Sequence, residues 1–542
     1  MYSNLNKSRI KVLFIVTLGL FILLSARLVY FQWIKGEYYK GMADKQYNYG
    51  EDISSLKYQV LSADGKYLQS YSYKYIVVIN IRLFKLNNYE NNMDKLMTIN
   101  YIMKENVKDF DINKLLINNA GNRYYEVNEE SYNKLMPLVE ETKGIFVYKR
   151  EVIENMTNSN IVSIITNNKD SKGNLKGEKS LERQLNGYFE DSEYLQAMVR
   201  IDKSGYIRTK GFKVPELSYV TLTINKELQD TVEAVLRDER FSKFKQIGAI
   251  IIEADTGKVR AMAQKDDYNA NINIAANLLG FPPGSTFKLM TAEYALENNI
   301  IDVDTMYYCD GKVCNKKTHG YVNMERALNL SCNGYFVELG KNFTAEELQG
   351  FCKKQGYLNK VLNLEYEING KVDLPNEDES NKNFIIGYGI SASPIQVAAS
   401  LSAIVNDGYY TKPYLIEEIK DKDGESVKKF DSTREQVISK ENASTIKNYL
   451  RTTVLHGTGA VVNLEGIEVG GKTGTAGNPD GDSFREYGWF AGYFKKGNKY
   501  YTMVVMVPNI DELKEEKIEL QGSNTAGPVF REILKNIKEL QF

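Results

Sequence analysis

Cysteine is scarce in this chain. Four residues in 542 are too few to hold a scaffold of this size together by disulfides. Net charge is nearly absent as well: 69 Lys and Arg stand against 70 Asp and Glu, which excludes the basic footprint of a nucleic-acid binder. No internal repeat is present. Proline numbers only ten, and with abundant Asn, Lys and Tyr this fits an AT-rich coding genome. What is there is globular: 43% hydrophobic and 11% aromatic residues exclude a disordered chain. The length points to two or three domains.

Lys7, Arg9 and Lys11 precede an apolar run in which residues 12–26 carry no charge. Past Arg27 it resumes with Leu28, Val29, Tyr30, Phe31, Trp33 and Ile34. A helix over residues 10–30 would span about 31 Å, close to the hydrocarbon thickness of a bilayer. Arg27 can snorkel, and Tyr30 and Trp33 suit the interface. The expected layout is a cytoplasmic tail at 1–9, a single-pass anchor at 10–34, and the remainder outside the cell. A cleaved signal peptide is the alternative, with Leu24-Ser25-Ala26 as the cleavage context, but the apolar stretch continues past it.

Residues 35–212 alternate short apolar runs, such as 75–81, with polar helical segments, such as 129–142. Asp64-Gly65 reads as a turn between Tyr58-Gln59-Val60-Leu61 and Tyr67-Leu68. Residues 167–177 read as a polar loop. No catalytic constellation stands here, so the region is expected to be a mixed α/β platform. From 213 to 542 the pattern changes. Residues 219–224 alternate like a strand, 226–240 look helical, and 249–253 and 258–263 flank Asp255-Thr256-Gly257 as a hairpin. Three more strands are expected near 466–475, 487–494 and 500–507, then a helix at 526–541. Strands, a helical middle and strands again imply an α+β domain whose antiparallel sheet is assembled from both ends.

Three strings carry chemistry. Pro282-Pro283-Gly284 breaks the chain before Ser285, so a helix can start there with Ser285 and Lys288 on one face. A serine hydroxyl needs a base, and a lysine whose pKa is lowered by burial can serve. Ser-x-x-Lys alone is weak, since Ser242/Lys245, Ser426/Lys429 and Ser444/Lys447 repeat it. The Pro-Pro-Gly break and the apolar helix that follows single out Ser285. Ser331-Cys332-Asn333 offers a hydroxyl that can relay a proton and an amide that can hold a substrate amide. Ser131/Asn133 repeats that spacing. In Lys472-Thr473-Gly474-Thr475, glycines at 470, 471 and 474 let an extended substrate lie against a strand edge. The lysine and the threonine hydroxyls there can grip a carboxylate.

Taken together and in this order, the strings resemble those of class B penicillin-binding proteins, which are membrane-anchored peptidoglycan D,D-transpeptidases. Ala26-Arg27-Leu28-Val29-Tyr30-Phe31-Gln32 is similar to the family's membrane-exit segment. Ser180-Leu181-Glu182 with Leu185 and Gly187 resembles the signature before its catalytic domain. Leu222-Thr223-Ile224-Asn225 with Leu228-Gln229 matches the domain's entry, with Asn where Asp is usual. Ser393-Pro394-Ile395-Gln396, Gly457-Thr458-Gly459 and Ala526-Gly527-Pro528-Val529-Phe530 also fit. The family's early Arg-Gly and Asp-Arg-x-Gly patterns are reduced here to Ser62-Ala63-Asp64-Gly65. The resemblance implies a stem peptide ending in D-Ala-D-Ala, acylation of Ser285 by β-lactams, and Lys288 as base. Ser331 would be the relay, Asn333 a stem contact, and Lys472, Thr473, Gly474 and Thr475 the carboxylate grip. The backbone N–H groups of Ser285 and Thr475 would hold the oxyanion. A membrane glycan polymerase is the implied partner, with a dimer as a further expected assembly, and no cofactor is implied for catalysis. Rival readings are a D,D-carboxypeptidase, a β-lactamase, or a catalytically idle cell-wall scaffold.

Three of the four cysteines crowd together with one of the two histidines: Cys309, Cys314, His319 and Cys332. Three thiolates and an imidazole suit a closed tetrahedral zinc site. Asp310 or Asp302 could take the place of His319. A Cys309–Cys314 disulfide and unpaired thiols are the alternatives. A metal here would brace Ser331 and Asn333 structurally.

Overall fold

The uncharged apolar stretch forms one helix, Tyr2–Val29, continued by a π-helical turn at Tyr30–Ile34. In this computed structural model residues Arg9–Ile34 are exposed, and by length and composition they can cross a membrane. The structure describes residues 2–52, 58–68, 71–88, 91–117, 121–153, 185, 187–189, 196–201, 207–213, 218–266, 271–275, 280–364, 367–373, 383–421, 423–480, 483–513 and 519–542. The expected loop at 167–177 and the Ser180-Leu181-Glu182 signature lie outside them.

The described residues divide into two compact units. In the first, Tyr71–Asn80 is the middle strand between Asn122–Val127 and Ile145–Ile153, all antiparallel. Its Val77 and Ile79 are buried on one face with Ile99 and Met103 of helix Met93–Asn106 and Leu135 and Val139 of helix Glu129–Glu140. A second sheet joins Asn48–Asp52, Gln196–Ile201 and Ile207–Lys213.

The second unit is built on a five-stranded antiparallel sheet. Its strands are β1 (Gly248–Glu253), β2 (Val259–Gln264), β3 (Val469–Asp480), β4 (Ser483–Lys496) and β5 (Lys499–Val507), in the order β2-β1-β5-β4-β3. The ends of the domain sequence therefore do meet in one sheet, and β3 is an edge strand. Alternation decides which core each side chain joins. Ile250, Ile252 and Val504 face a core shared with helix α2 (Lys288–Glu297), α3 (Met324–Asn329) and α4 (Asn333–Leu339). Ala249, Ile251 and Val505 face the opposite core, closed by α1 (Lys226–Leu236) and α6 (Ala526–Ile537). Helix α5 (Lys440–His456) leads back towards β3.

Local chemistry sets the helix starts. The Asn225 side chain accepts a hydrogen bond from the Leu228 N–H (2.9 Å), so the Asn that replaces the usual Asp still caps α1. Ser393 opens helix Pro394–Ser400 with a capping box to Gln396. The turn at 62–65 is present, with the Gly65 N–H donating to the Ser62 carbonyl (2.9 Å). Its expected hairpin partner is reduced to one bridge between Leu61 and Tyr67. Strand Tyr58–Leu61 instead pairs in parallel with Ser218–Leu222 of the second unit. That unit therefore takes in a strand from well before residue 213, and the sequence division at that point is too simple.

Candidate active site

Pro283 and Gly284 do not lead straight into an α-helix. Gly284–Thr286 makes one 3-10 turn, and α2 begins at Lys288. Gly284 sits at φ +54°, and the Thr286 hydroxyl donates back to the Pro283 carbonyl (2.8 Å). Ser285 thus stands on a tight turn just ahead of the helix, one step short of the expected helix start. Two glycines let this turn meet the β3 edge. A Cβ on Gly284 would lie 2.6 Å from the Thr475 carbonyl oxygen, and one on Gly474 would lie 2.7 Å from the Pro283 carbonyl oxygen. The close approach of Ser285 to the Lys472–Thr475 strand depends on both positions lacking a side chain.

Lys288 and Lys472 are both fully buried. Lys288 Nζ donates to Asn333 Oδ1 (2.6 Å) and the Ser331 carbonyl (2.9 Å) and lies 3.3 Å from Ser331 Oγ. Lys472 Nζ donates to Ser331 Oγ (3.0 Å) and the Thr473 carbonyl (3.1 Å). Among the described residues neither amine has a carboxylate partner. Burial pushes Lys288 down to about 7, and burial with the nearby Lys288 drives Lys472 well below the ordinary lysine value. The Cys332 and Cys314 sulfurs pull Lys288 the other way, but burial outweighs them, and with no carboxylate beside either amine a neutral amine is favoured next to Ser331. The Ser285 hydroxyl makes no hydrogen bond among the described residues, and Lys288 turns to Ser331 and Asn333. Catalytic hydrogen bonds often tighten only with substrate bound.

Ser331 has a left-handed backbone, φ +54°. For a non-glycine residue this costs on the order of 1–3 kcal/mol and needs external support. Support comes from the Ser331 N–H to Leu328, the Cys332 N–H to Ala327 (2.8 Å), and Lys288 on the Ser331 carbonyl. Cys332 then caps α4, its sulfur accepting from the Tyr335 N–H (3.4 Å).

The cleft above these groups has a volume of about 380 Å³ and is lined by Ser285, Ser331, Asn333, Thr473, Gly474 and Thr475 among others. Thr458 also lines it and accepts a hydrogen bond from the Thr473 hydroxyl (3.0 Å). Tyr388, Glu486, Glu519 and Gln521 are also in the lining, and nothing in the sequence singles them out. They come from segments far apart in the chain, and no local pattern marks them.

The penicillin binding protein transpeptidase domain family matches residues 247–535, just over half of the chain. The chain belongs to that family. Its relatives include class B members. Stage V sporulation protein D of Bacillus subtilis is 25% identical over 516 residues, covering 86% of this chain and 76% of that protein. The peptidoglycan D,D-transpeptidase FtsI of Buchnera aphidicola is 26% identical over 399 residues, 68% of this chain and 67% of its own length. Apo penicillin binding protein 3 of Mycobacterium tuberculosis shares the fold at a TM-score of 0.57 and 21% identity, over 72% of this chain and 91% of that one. A chain from a peptidoglycan synthase complex aligns over 98% of this chain and 99% of its own, with a TM-score of 0.67 and 19% identity.

Next to the Ser331 turn of this penicillin-binding protein lies the cysteine cluster. The donor atoms of Cys309, Cys314, His319 and Cys332 all fall within 4.8 Å of one another. Cys309 Sγ is 3.7 Å from Cys314 Sγ and 3.5 Å from His319 Nδ1, and Cys314 Sγ is 3.8 Å from Cys332 Sγ. All four cysteines are free thiols. The Gly334 N–H donates to Cys314 Sγ (3.3 Å), as Tyr335 does to Cys332. Asp302 and Asp310 are not part of the group.

Proposed function

We propose that this penicillin-binding protein acts as a peptidoglycan D,D-transpeptidase through a serine acyl-enzyme on Ser285. The observation that carries the reading is the pair of buried amines sharing Ser331 Oγ beside the Ser285 turn, with no carboxylate partner to either among the described residues. Neutral Lys288 takes the Ser285 proton as the serine oxygen attacks the penultimate D-Ala carbonyl carbon. The backbone N–H groups of Ser285 and Thr475 hold the oxyanion; removing one such donor costs about 2.7–4 kcal/mol. The C–N bond then breaks, and Ser331 passes the proton to the departing D-Ala amine. A primary amine of a second stem attacks the ester, releases Ser285 and forms the cross-link. Asn333 orients the donor stem, while Lys472, Thr473 and Thr475 grip its terminal carboxylate beside Gly474. β-Lactams acylate the same serine.

A labelled penicillin tests this on the whole protein. The parent should take up label covalently and release it slowly, as a transpeptidase does. Ser285→Ala should take up none, and Lys288→Ala should be acylated roughly 10²–10⁴-fold more slowly. Covalent label on Ser285→Ala ends the assignment. Rapid turnover of the drug would instead favour a β-lactamase.

Cys309, Cys314, His319 and Cys332 are proposed to hold a structural zinc. A tetrahedral zinc with Zn–S of about 2.3 Å and Zn–N of about 2.0–2.1 Å has S···S edges of about 3.8 Å and S···N edges of about 3.6 Å. The observed separations of 3.7, 3.8 and 3.5 Å match these edges. Backbone N–H groups on two of the sulfurs supply the outer support that such thiolates need. When bound, the metal braces the Ser331–Asn333 turn and takes no part in acyl transfer. Metal analysis of protein purified without chelator should return about one zinc per chain, and less than ~0.2 would reject the site.

The N-terminal helix serves as a single-pass anchor of the cell membrane, with the cleft on the outer side, in keeping with the cationic residues ahead of it. A membrane glycan polymerase is the proposed partner; the peptidoglycan synthase complex with a chain of this fold coordinates polymerization and crosslinking.

A further inference from the structure

One exposed aromatic pair has no role in the chemistry above. Strands Tyr307–Cys309 and Gly320–Val322 form a short antiparallel ribbon in which Tyr308 stands directly opposite Tyr321. The two rings are 60% and 66% exposed, their centroids 5.1 Å apart and their planes at 61°. The reverse face of the ribbon is fixed: Cys309 and Val322 are buried, and Tyr307 packs edge-on against Tyr335 at 5.3 Å. Neither outer phenol has a hydrogen-bond partner among the described residues. The ribbon is continuous with the catalytic cleft, because Asn315, Lys317 and His319 of its connecting loop line that cleft.

We propose that Tyr308 and Tyr321 form a glycan-binding platform that seats the sugar backbone carrying the stem peptide. The inference rests on the transpeptidase reading, in which each substrate peptide is borne on a polysaccharide. A five-residue stem in extended form spans at most about 17 Å, so its sugar must lie near the rim of the cleft. A pyranose presents a face of C–H groups ringed by hydroxyls. An exposed tyrosine offers the complement: a flat apolar ring with a polar tip. Two rings can cover at most a few hundred Å², well short of the roughly 800 Å² per partner of a stable protein interface. A compact, uncharged, ring-shaped ligand fits that area.

The test uses the full-length protein in detergent, with Tyr308→Ala/Tyr321→Ala and Tyr308→Phe/Tyr321→Phe pairs. Three substrates are compared: labelled penicillin, a free pentapeptide stem, and uncross-linked glycan strands bearing the same stem. Loss of both rings should raise KM for the strands about tenfold, with penicillin acylation and free-peptide turnover changed less than about twofold. The Phe pair should keep most of the strand affinity. Equal effects on strand and free peptide, or no effect on the strand, overturn the platform. Weakened binding to anionic lipid vesicles with an unchanged KM for strands would assign the rings to a membrane and also overturn it. If the parent protein takes no penicillin on Ser285, the transpeptidase reading fails, and the platform with it. Normal labelling with an unmoved strand KM removes only the platform.

Discussion

Ser331 is asked to do two incompatible things: adopt a backbone conformation that suits glycine, and present a hydroxyl to two amines. The conflict is testable. Ser331→Gly should relieve the left-handed strain but strip a partner from both buried amines, two effects each on the order of 1–3 kcal/mol that offset, so the thermal midpoint should change little while penicillin acylation falls. A variant that both melts earlier and keeps full acylation would contradict the relay role. At this scale much was legible. Local context marks Ser285, Lys288, Ser331, Asn333 and Lys472–Thr475, and the fold brings their strings to one cleft. What the strings could not reveal was that Lys288 points its amine at Ser331 and Asn333, since that depends on helix α2 packing against the α3–α4 turn. The glutamates and Gln521 of the lining were equally hidden, because no spacing relates them to the strings.

At the scale of the element, helix α2 carries an acid on its buried side. Glu293 is 2% exposed and accepts a hydrogen bond from Gln355 Nε2 (2.7 Å). Burial raises its carboxyl to about 8 from an ordinary 4.5. The folded pKa lies above the unfolded one. Between the two values the folded protein keeps a proton that the unfolded chain has released, so stability declines as pH rises from about 4.5 and the loss is complete above about 8. Urea midpoints at pH 6 and pH 9 should separate for the parent, and Glu293→Gln should narrow that gap by a shift on the order of a few kcal/mol. An unchanged gap would mean that Glu293 is not the titrating group. Elements read well from sequence where period or capping was strong, as in β1, β5 and α6. They read poorly at the Pro-Pro-Gly break, where a positive φ at Gly284 spends a turn as 3-10 before the α-helix begins.

For the molecule as a whole, composition alone marked an anchor, and a helix long and apolar enough is there. Intact mass of the purified protein should match the whole chain, and loss of the first ~26 residues would identify a cleaved leader instead. A change in pattern marks a division near residue 213, but pattern cannot report on pairing between distant strands. Strand Tyr58–Leu61 lies in parallel beside Ser218–Leu222, and the neighbouring turn offers Asp64 Oδ1 to the Lys226 N–H (2.8 Å) at the start of α1. The catalytic body is thus threaded through the chain rather than appended to it. A protein trimmed to 213–542 would keep every catalytic string yet leave the backbone edge of Ser218–Leu222 bare, a ready template for association between copies. The last strand of that sheet is synthesised first and must wait on its neighbour. Tyr58–Leu61 therefore stays without its partner until Ser218–Leu222 has been made, and the catalytic body can close this sheet only after the whole stretch between the two strands has been synthesised.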